Sequence, residues 1–173
     1  MKAILCKSYG TPENLVLEDI EVLKPREGEV LVEVYAASLN FPDTLQIEGK
    51  YQYQPPFPFI PGSEAGGIIK EIGPNVREFD IGDRVMANPG IGAMAELLCV
   101  PFERLRKIPD NMSFNTASGF PMVYTTSYYA LKQRAELKPA ETLLVLGSSG
   151  GVGVTAVELG KLMGAEVIAG ASS

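Results

Sequence analysis

Leu143-Leu144-Val145-Leu146-Gly147-Ser148-Ser149-Gly150-Gly151-Val152-Gly153 decides how the chain is read. Four apolar residues in a row predict a strand covered on both faces, the kind found inside a parallel sheet. A glycine-rich turn follows at once. Residues 154–163 then read as a helix, with Val154, Val157 and Leu162 near helical spacing, Gly160 as its weak point and Gly164 closing it. Ala165-Glu166-Val167-Ile168-Ala169 is a second short apolar strand. Strand, glycine turn, helix and strand in that order make a right-handed βαβ unit.

The glycines suit a phosphate. A phosphate has to approach the backbone closely and meet free N–H groups at a helix N-terminus, where side chains would block it. The spacing Gly147-x-x-Gly150-Gly151-x-Gly153 departs from a strict G-x-G-x-x-G. The competing reading is a tight turn that binds nothing.

Outward from this stretch, composition sets bounds. The chain has 173 residues, 46% hydrophobic and 21% charged, with net charge −6 and a pI near 4.8. That suits a soluble globular protein and argues against a basic nucleic-acid-binding surface. Cys6 and Cys99 form no disulfide framework or metal pair, so a reducing cytoplasm is the expected location. No apolar run reaches membrane-spanning length, and the N-terminus lacks a signal-peptide pattern. Histidine is absent, which removes the commonest general acid/base and zinc ligand from this stretch.

Residues 2–110 read as short strands between Gly/Pro turns. Candidates are Ala3-Ile4-Leu5-Cys6, residues 15–22, residues 29–37, residues 66–73, residues 83–86 and residues 94–100. Val30, Val32, Val34 and Ala36 should share one face of the clearest strand. Residues 43–48 could form a short helix, whereas the prolines of residues 54–62 exclude regular structure. Together these predict a small, partly open, mostly β barrel. Ser113 is a plausible N-cap for a short helix, and a second helix is expected over 122–134. The domains expected are a barrel at 1–122, then a bridging helix with the start of a dinucleotide-binding domain at 123–173.

The glycine stretch, continued by Ala156-Val157-Glu158-Leu159-Gly160-Lys161, resembles the cofactor loop of zinc-independent medium-chain dehydrogenase/reductases, in particular the NADPH:quinone oxidoreductase (zeta-crystallin-like) branch. Ser38-Leu39-Asn40-Phe41-Pro42-Asp43-Thr44, Gly49-Lys50-Tyr51, the run from Pro58 to Gly67, Gly82-Asp83-Arg84-Val85 and Gly92-Ala93-Met94-Ala95-Glu96 resemble the same family in order. The resemblance implies a GroES-like barrel followed by the first βαβ of a Rossmann α/β domain. Zinc members carry Gly-His-Glu where this chain has Gly62-Ser63-Glu64, a metal-binding cysteine near Asn40 and a four-cysteine lobe, all absent here. No metal is therefore expected.

By the same resemblance, Asn40 and Tyr51 lie in the cleft near cofactor and substrate and are the expected catalytic pair. An amide offers a donor and an acceptor, and a tyrosine hydroxyl can orient a substrate oxygen or give it a proton. Read as plain residues, Asn40 could be a turn residue bonded to its own backbone, and Tyr51 a loop aromatic packed beside the prolines. Asp43 reads as a capping or hydrogen-bonding residue, and Glu64 as an anchor of the cleft floor or simply a buried, paired carboxylate. Thr126 matches the family threonine near the nicotinamide amide; a hydroxyl satisfying helix backbone is the alternative. Phe120, Tyr128 and Tyr129 read as core.

The cofactor set is Gly147, Ser148, Ser149, Gly150, Gly151, Val152 and Gly153, with Gly170, Ser172 and Ser173 at the second strand's end. No acid stands there to repel a 2′-phosphate, so NADPH is expected over NADH. The expected reaction is hydride transfer to a small quinone or enone. A 2-enoyl thioester reductase and a non-catalytic NADPH-binding structural or sensor protein are the alternatives. A homodimer is the expected assembly. Because one βαβ is less than a doubly wound fold, the chain is expected to be part of a longer protein, or to self-associate, and to be inactive alone.

Overall fold

The computed structural model describes residues 1–172. The chain forms two compact units, Met1–Gly119 and Phe120–Ser173. Ser173, named above for the cofactor, lies outside the described residues.

The first unit is a curled antiparallel β structure. β1 (Lys2–Cys6) pairs with β2 (Leu15–Asp19). A five-stranded sheet has the order β6-β3-β4-β5-β7, from β3 (Glu29–Ala37), β4 (Ala65–Ile72), β5 (Arg84–Ala87), β6 (Leu97–Pro101) and β7 (Leu105–Lys107). Its core is built from Val30, Val32, Ile69, Val85, Val100 and Leu105, all sealed from solvent, with Val34 packed against them. The alternation read along β3 thus places its valines on the core. Leu31, on the opposite face, is buried as well.

The strands differ from expectation at their ends, for reasons of pairing. β2 stops at Asp19 and not at residue 22, because Asp19 pairs with Lys2, where β1 begins. Residues 94–96 are not part of β6: Ala95 bridges Ala3, and Ile4 donates to the Met94 carbonyl, so the chain changes sheets there. β7 gave no clear sequence signal, being three residues of which only Leu105 is buried.

Two helices and one arginine close this unit. α1 (Phe41–Ile47) follows β3. α2 (Phe114–Ser118) begins where Ser113 Oγ accepts from the Thr116 N–H at 3.0 Å, as its sequence predicts. It sits on Gly66, where an added Cβ would stand 2.6 Å from the Phe114 carbonyl oxygen. Arg84 reaches from β5 to the carbonyls of Pro109 (3.0 Å), Asp110 (2.6 Å) and Met112 (2.6 Å), and its guanidinium lies 4.6 Å from the centre of the Phe114 ring.

In the second unit β8 (Thr142–Leu146) and β9 (Glu166–Gly170) pair in parallel, with α4 (Gly151–Leu162) as the crossover. Gly160 is where α4 meets the sheet: a Cβ there would lie 2.6 Å from Leu143 Cδ2 and 3.1 Å from Val167 Cγ2. The weak point of the helix is its contact point. Gly164 closes the helix with φ +83°, a left-handed conformation that favours glycine.

α3 (Pro121–Tyr128) is shorter than the helix expected over 122–134. It continues as a π-helical segment, Tyr129–Arg134. Tyr128 and Tyr129 are 46% and 51% exposed, not core. With Phe120, Tyr124, Thr125 and Leu159 they line an open groove of about 460 Å³. Ser127 of α3 is instead buried, and its hydroxyl donates to the Val152 carbonyl of α4.

Candidate functional site

Two constellations are the candidates, one in each unit.

In the first unit, β3 ends at Ala37 opposite Ala65, where β4 begins. The next residue on one strand and the preceding one on the other, Ser38 and Glu64, therefore meet. Ser38 Oγ donates to Glu64 Oε1 at 2.8 Å, and Asn40 Nδ2 donates to the same oxygen at 2.6 Å and to Ser38 Oγ at 3.0 Å. Asn40 is the N-cap of α1, with extended backbone at φ −118°. Asp43, three residues on, completes a capping box. Its Oδ2 accepts the Asn40 backbone N–H at 2.8 Å, and its Oδ1 accepts the Ser63 hydroxyl at 3.1 Å.

Ser38, Asn40, Asp43, Ser63 and Glu64 are thus one hydrogen-bonded cluster holding two buried carboxyl groups. Glu64 is fully buried and Asp43 nearly so. Burial pushes the Asp43 carboxyl above the usual aspartate range. The Asn40 N–H and the Ser63 hydroxyl pull against that shift, and the neighbouring Glu64 adds to it. Sequence reasoning named Asn40, Asp43 and Glu64 but missed Ser38. The signal for Ser38 was its place two residues before the N-cap at a strand end.

Tyr51 follows α1, and its backbone N–H donates to the Leu45 carbonyl at 3.2 Å. Among the described residues no hydrogen bond fixes its hydroxyl, and no ring stacks on it. The aromatic packing beside the proline segment is made by Tyr9, Phe57 and Phe59 instead.

In the second unit the glycine loop joins β8 to α4. Gly150 is the N-cap, so Gly151, Val152 and Gly153 belong to the first helical turn, not to the preceding turn as expected. Their N–H groups have no partner within the helix. The glycines do different jobs. Gly147 has φ +67°. At Gly153 an added Cβ would collide with the Gly147 carbonyl oxygen and stand 2.7 Å from Ser148 Cα, so glycine alone lets the helix start this close to the strand end. At Gly150 a Cβ would meet nothing nearer than 3.6 Å, which leaves a space in front of the helix start that a side chain would fill.

The Ser148 N–H donates to the Gly170 carbonyl at 3.0 Å, so the end of β9 sits beside this loop. Ser149 and Ser172 make no side-chain hydrogen bond among the described residues, and Ser172 is exposed. Thr126 is exposed on α3 and its hydroxyl does not cap the helix. The neighbouring Thr125 instead bonds the Pro121 carbonyl. The sequence reading also missed a buried pair: Ser127 Oγ on α3 lies 2.7 Å from Thr155 Oγ1 on α4, and donates to the Val152 carbonyl at 2.9 Å.

Comparison with known proteins agrees with both units. Residues 26–110 match the alcohol dehydrogenase GroES-like domain. The human synaptic vesicle membrane protein VAT-1 homolog-like protein superposes with TM-score 0.93 at 36% identity, over 96% of this chain and 54% of that one. Human quinone oxidoreductase is 34% identical over 170 residues, 97% of this chain and 52% of its own length. The quinone oxidoreductase of Thermus thermophilus, solved also in complex with NADPH, gives TM-score 0.88 at 36% identity, over 100% of this chain and 54% of that one. The first unit is thus a GroES-like domain of the alcohol dehydrogenase type. The chain as a whole is similar to quinone oxidoreductase-like proteins of the medium-chain dehydrogenase/reductase type, and it spans about half the length of these relatives.

Proposed function

We propose that the protein carrying this chain is an NADPH-dependent oxidoreductase that delivers hydride to a quinone or another conjugated carbonyl acceptor without zinc. The observation that carries this reading is the start of α4: three backbone N–H groups with no partner within the helix, the positive end of a twelve-residue helix, and open space at Gly150. Gly147, Gly150, Gly151 and Gly153 would hold the pyrophosphate. Gly170 and the acid-free Ala171-Ser172 end would leave room for a 2′-phosphate.

Bound NADPH would supply the hydride. The Tyr51 hydroxyl, free of internal bonds among the described residues, can donate to the acceptor oxygen as charge develops there. Thr126, with its hydroxyl exposed on α3, is available to a carboxamide. Where zinc relatives place a histidine, Ser63 spends its hydroxyl on Asp43. Among the described residues no three His, Cys, Asp or Glu side chains gather as a metal site, and a hydroxyl competes poorly with imidazole or thiolate for zinc. The two cysteines are free thiols, in keeping with a reducing compartment.

Gly150→Val tests the reading. Gly150 has φ −78° and ψ 163°, which any residue adopts, so the fold should survive. NADPH titration on the longest polypeptide in which this chain occurs should show binding weakened at least tenfold. Equal binding by the variant would remove the loop from the site. An absorbance screen of quinones, enones and enoyl thioesters then separates the acceptor classes.

A further inference from the structure

Leu31 is buried although it lies on the face of β3 turned away from the core. Its neighbours Val30 and Val32 pack into the core and pair with Val100 and Leu98 of β6. Leu31 pairs with Cys99, so by the alternation of the strands Leu31, Cys99 and Leu97 share the outer face. That face is covered by chain without regular structure: residues 21–24, which include Leu23, together with Ile60 and Ile91. The cover does not close on the sheet. Between them lies a cavity of about 150 Å³, open on one side, whose lining includes Leu23, Leu31, Ile60, Ile91, Leu97 and Cys99, all in the first unit.

The chemistry of this cavity is apolar. Among these side chains the hydrogen-bond donor is the Cys99 thiol, and it donates to the Leu23 carbonyl at 3.3 Å. Burial, reinforced by Glu29 and Glu71 and opposed by Arg26, holds that thiol above its usual range, so at neutral pH it keeps the hydrogen it donates. Water in such a space has few groups to bond, and weakly held water is displaced at a gain by an apolar molecule. Among the described residues, the same thiol contact is the hydrogen bond that ties residues 21–24 to the sheet. The outer wall can therefore shift without breaking a strand pair, which gives a ligand a way in.

We propose that this cavity is a binding site for a compact apolar molecule of about the size of benzene, held under Leu23 against Leu31 and Leu97. The volume sets the size, since roughly 150 Å³ of apolar cavity accommodates one benzene ring. The lining sets the class. Aliphatic side chains and a thiol that is already engaged offer contact area and no donor, so a ring carrying a hydrogen-bond acceptor would lose its water without replacing it. The site stands apart from the glycine loop, because none of its lining residues belongs to the second unit.

The test is a titration of the longest polypeptide in which the chain occurs, with Leu, Ile and Val methyls 13C-labelled and benzene as the probe. The methyls of Leu31, Leu97, Ile60 and Ile91 should shift and saturate, while those of Val85 and Ile69 in the core stay in place. Pyridine, equal in size but needing a donor, should bind at least tenfold more weakly. Leu97→Phe, which fills the cavity, should weaken benzene binding at least tenfold; Ile91→Phe serves in the case in which Leu97→Phe does not fold. The proposal is overturned by the lack of a saturable shift with benzene, or by shifts of the same size at the exposed Leu39 and Leu162. Equal binding of pyridine, or undiminished benzene binding by a folded filling variant, overturns it as well.

Discussion

Ser127 Oγ and Thr155 Oγ1 lie 2.7 Å apart with both side chains buried, and this pair joins α3 to the first turns of α4. Thr155 Oγ1 is also within 3.1 Å of the Val123 carbonyl oxygen. Each hydroxyl therefore has a backbone alternative when the other is removed. Ser127→Ala and the nearly isosteric Thr155→Val should each cost about 1 kcal/mol, the net worth of one buried hydrogen bond. The double variant should cost less than the sum of the two, by roughly 0.5–1 kcal/mol. Urea denaturation of the four proteins checks this; strict additivity would show that the hydroxyls do not act together.

Gly160 should tolerate alanine but not valine. Alanine gains roughly 1 kcal/mol of helix propensity. Its methyl would crowd Leu143 Cδ2, the tip of a side chain that can turn, and Val167 Cγ2, which is stiffer. These effects nearly cancel, so Gly160→Ala should lie within about 1 kcal/mol of the parent. Gly160→Val overfills the contact and should cost roughly 1–3 kcal/mol. Thermal unfolding distinguishes them, and equal melting temperatures for both variants would contradict the packing.

Arg84 should not be replaceable by lysine. Its two terminal nitrogens hold three carbonyl oxygens in the segment leading to α2, and its plane lies over Phe114. An ammonium on a flexible stem cannot reproduce that fork. Arg84→Lys should lose about 1–2 kcal/mol, with faster amide exchange concentrated at residues 109–114. Exchange rates unchanged in that segment would contradict the assignment.

Asp43 and Asp83 should respond to pH with opposite signs. Burial, reinforced by Glu64, raises the Asp43 pKa in the folded state above its unfolded value. Its contribution is fully present below the ordinary aspartate pKa and is lost as pH rises through the folded one. Asp43→Asn should therefore gain stability relative to the parent as the pH is raised from acid to neutral. For Asp83 burial raises the pKa, but the Lys107 ammonium at 2.6 Å and the Asp80 N–H outweigh it, and the net shift is downward. That contribution is present at neutral pH and is lost as pH falls through the folded pKa. Asp83→Asn should be destabilised at neutral pH and converge on the parent in acid. Denaturation midpoints across this range test both; parallel curves would contradict both assignments.

The sequence by itself determined the βαβ unit, the barrel strands carried by alternating valines, the N-cap at Ser113 and the glycines at the start of α4. These are local signals: a hydrophobic period, a capping residue, or a backbone position that excludes a Cβ. Asn40, Asp43 and Glu64 were also legible, through an ordered set of motifs. Tertiary structure decided what those residues do. Glu64 meets Asn40 and Ser38 only because β3 and β4 end side by side, and that meeting turns the Asn40 amide nitrogen toward the buried carboxyl. Arg84 shows the same limit, since its carbonyl partners lie 25 to 28 residues away along the chain. So does Gly160: a weak helix position by propensity, it becomes the close contact once α4 lies on β8 and β9. A single chain states its periods and turn residues directly, whereas the partner of a buried polar group is fixed only when distant segments are brought together.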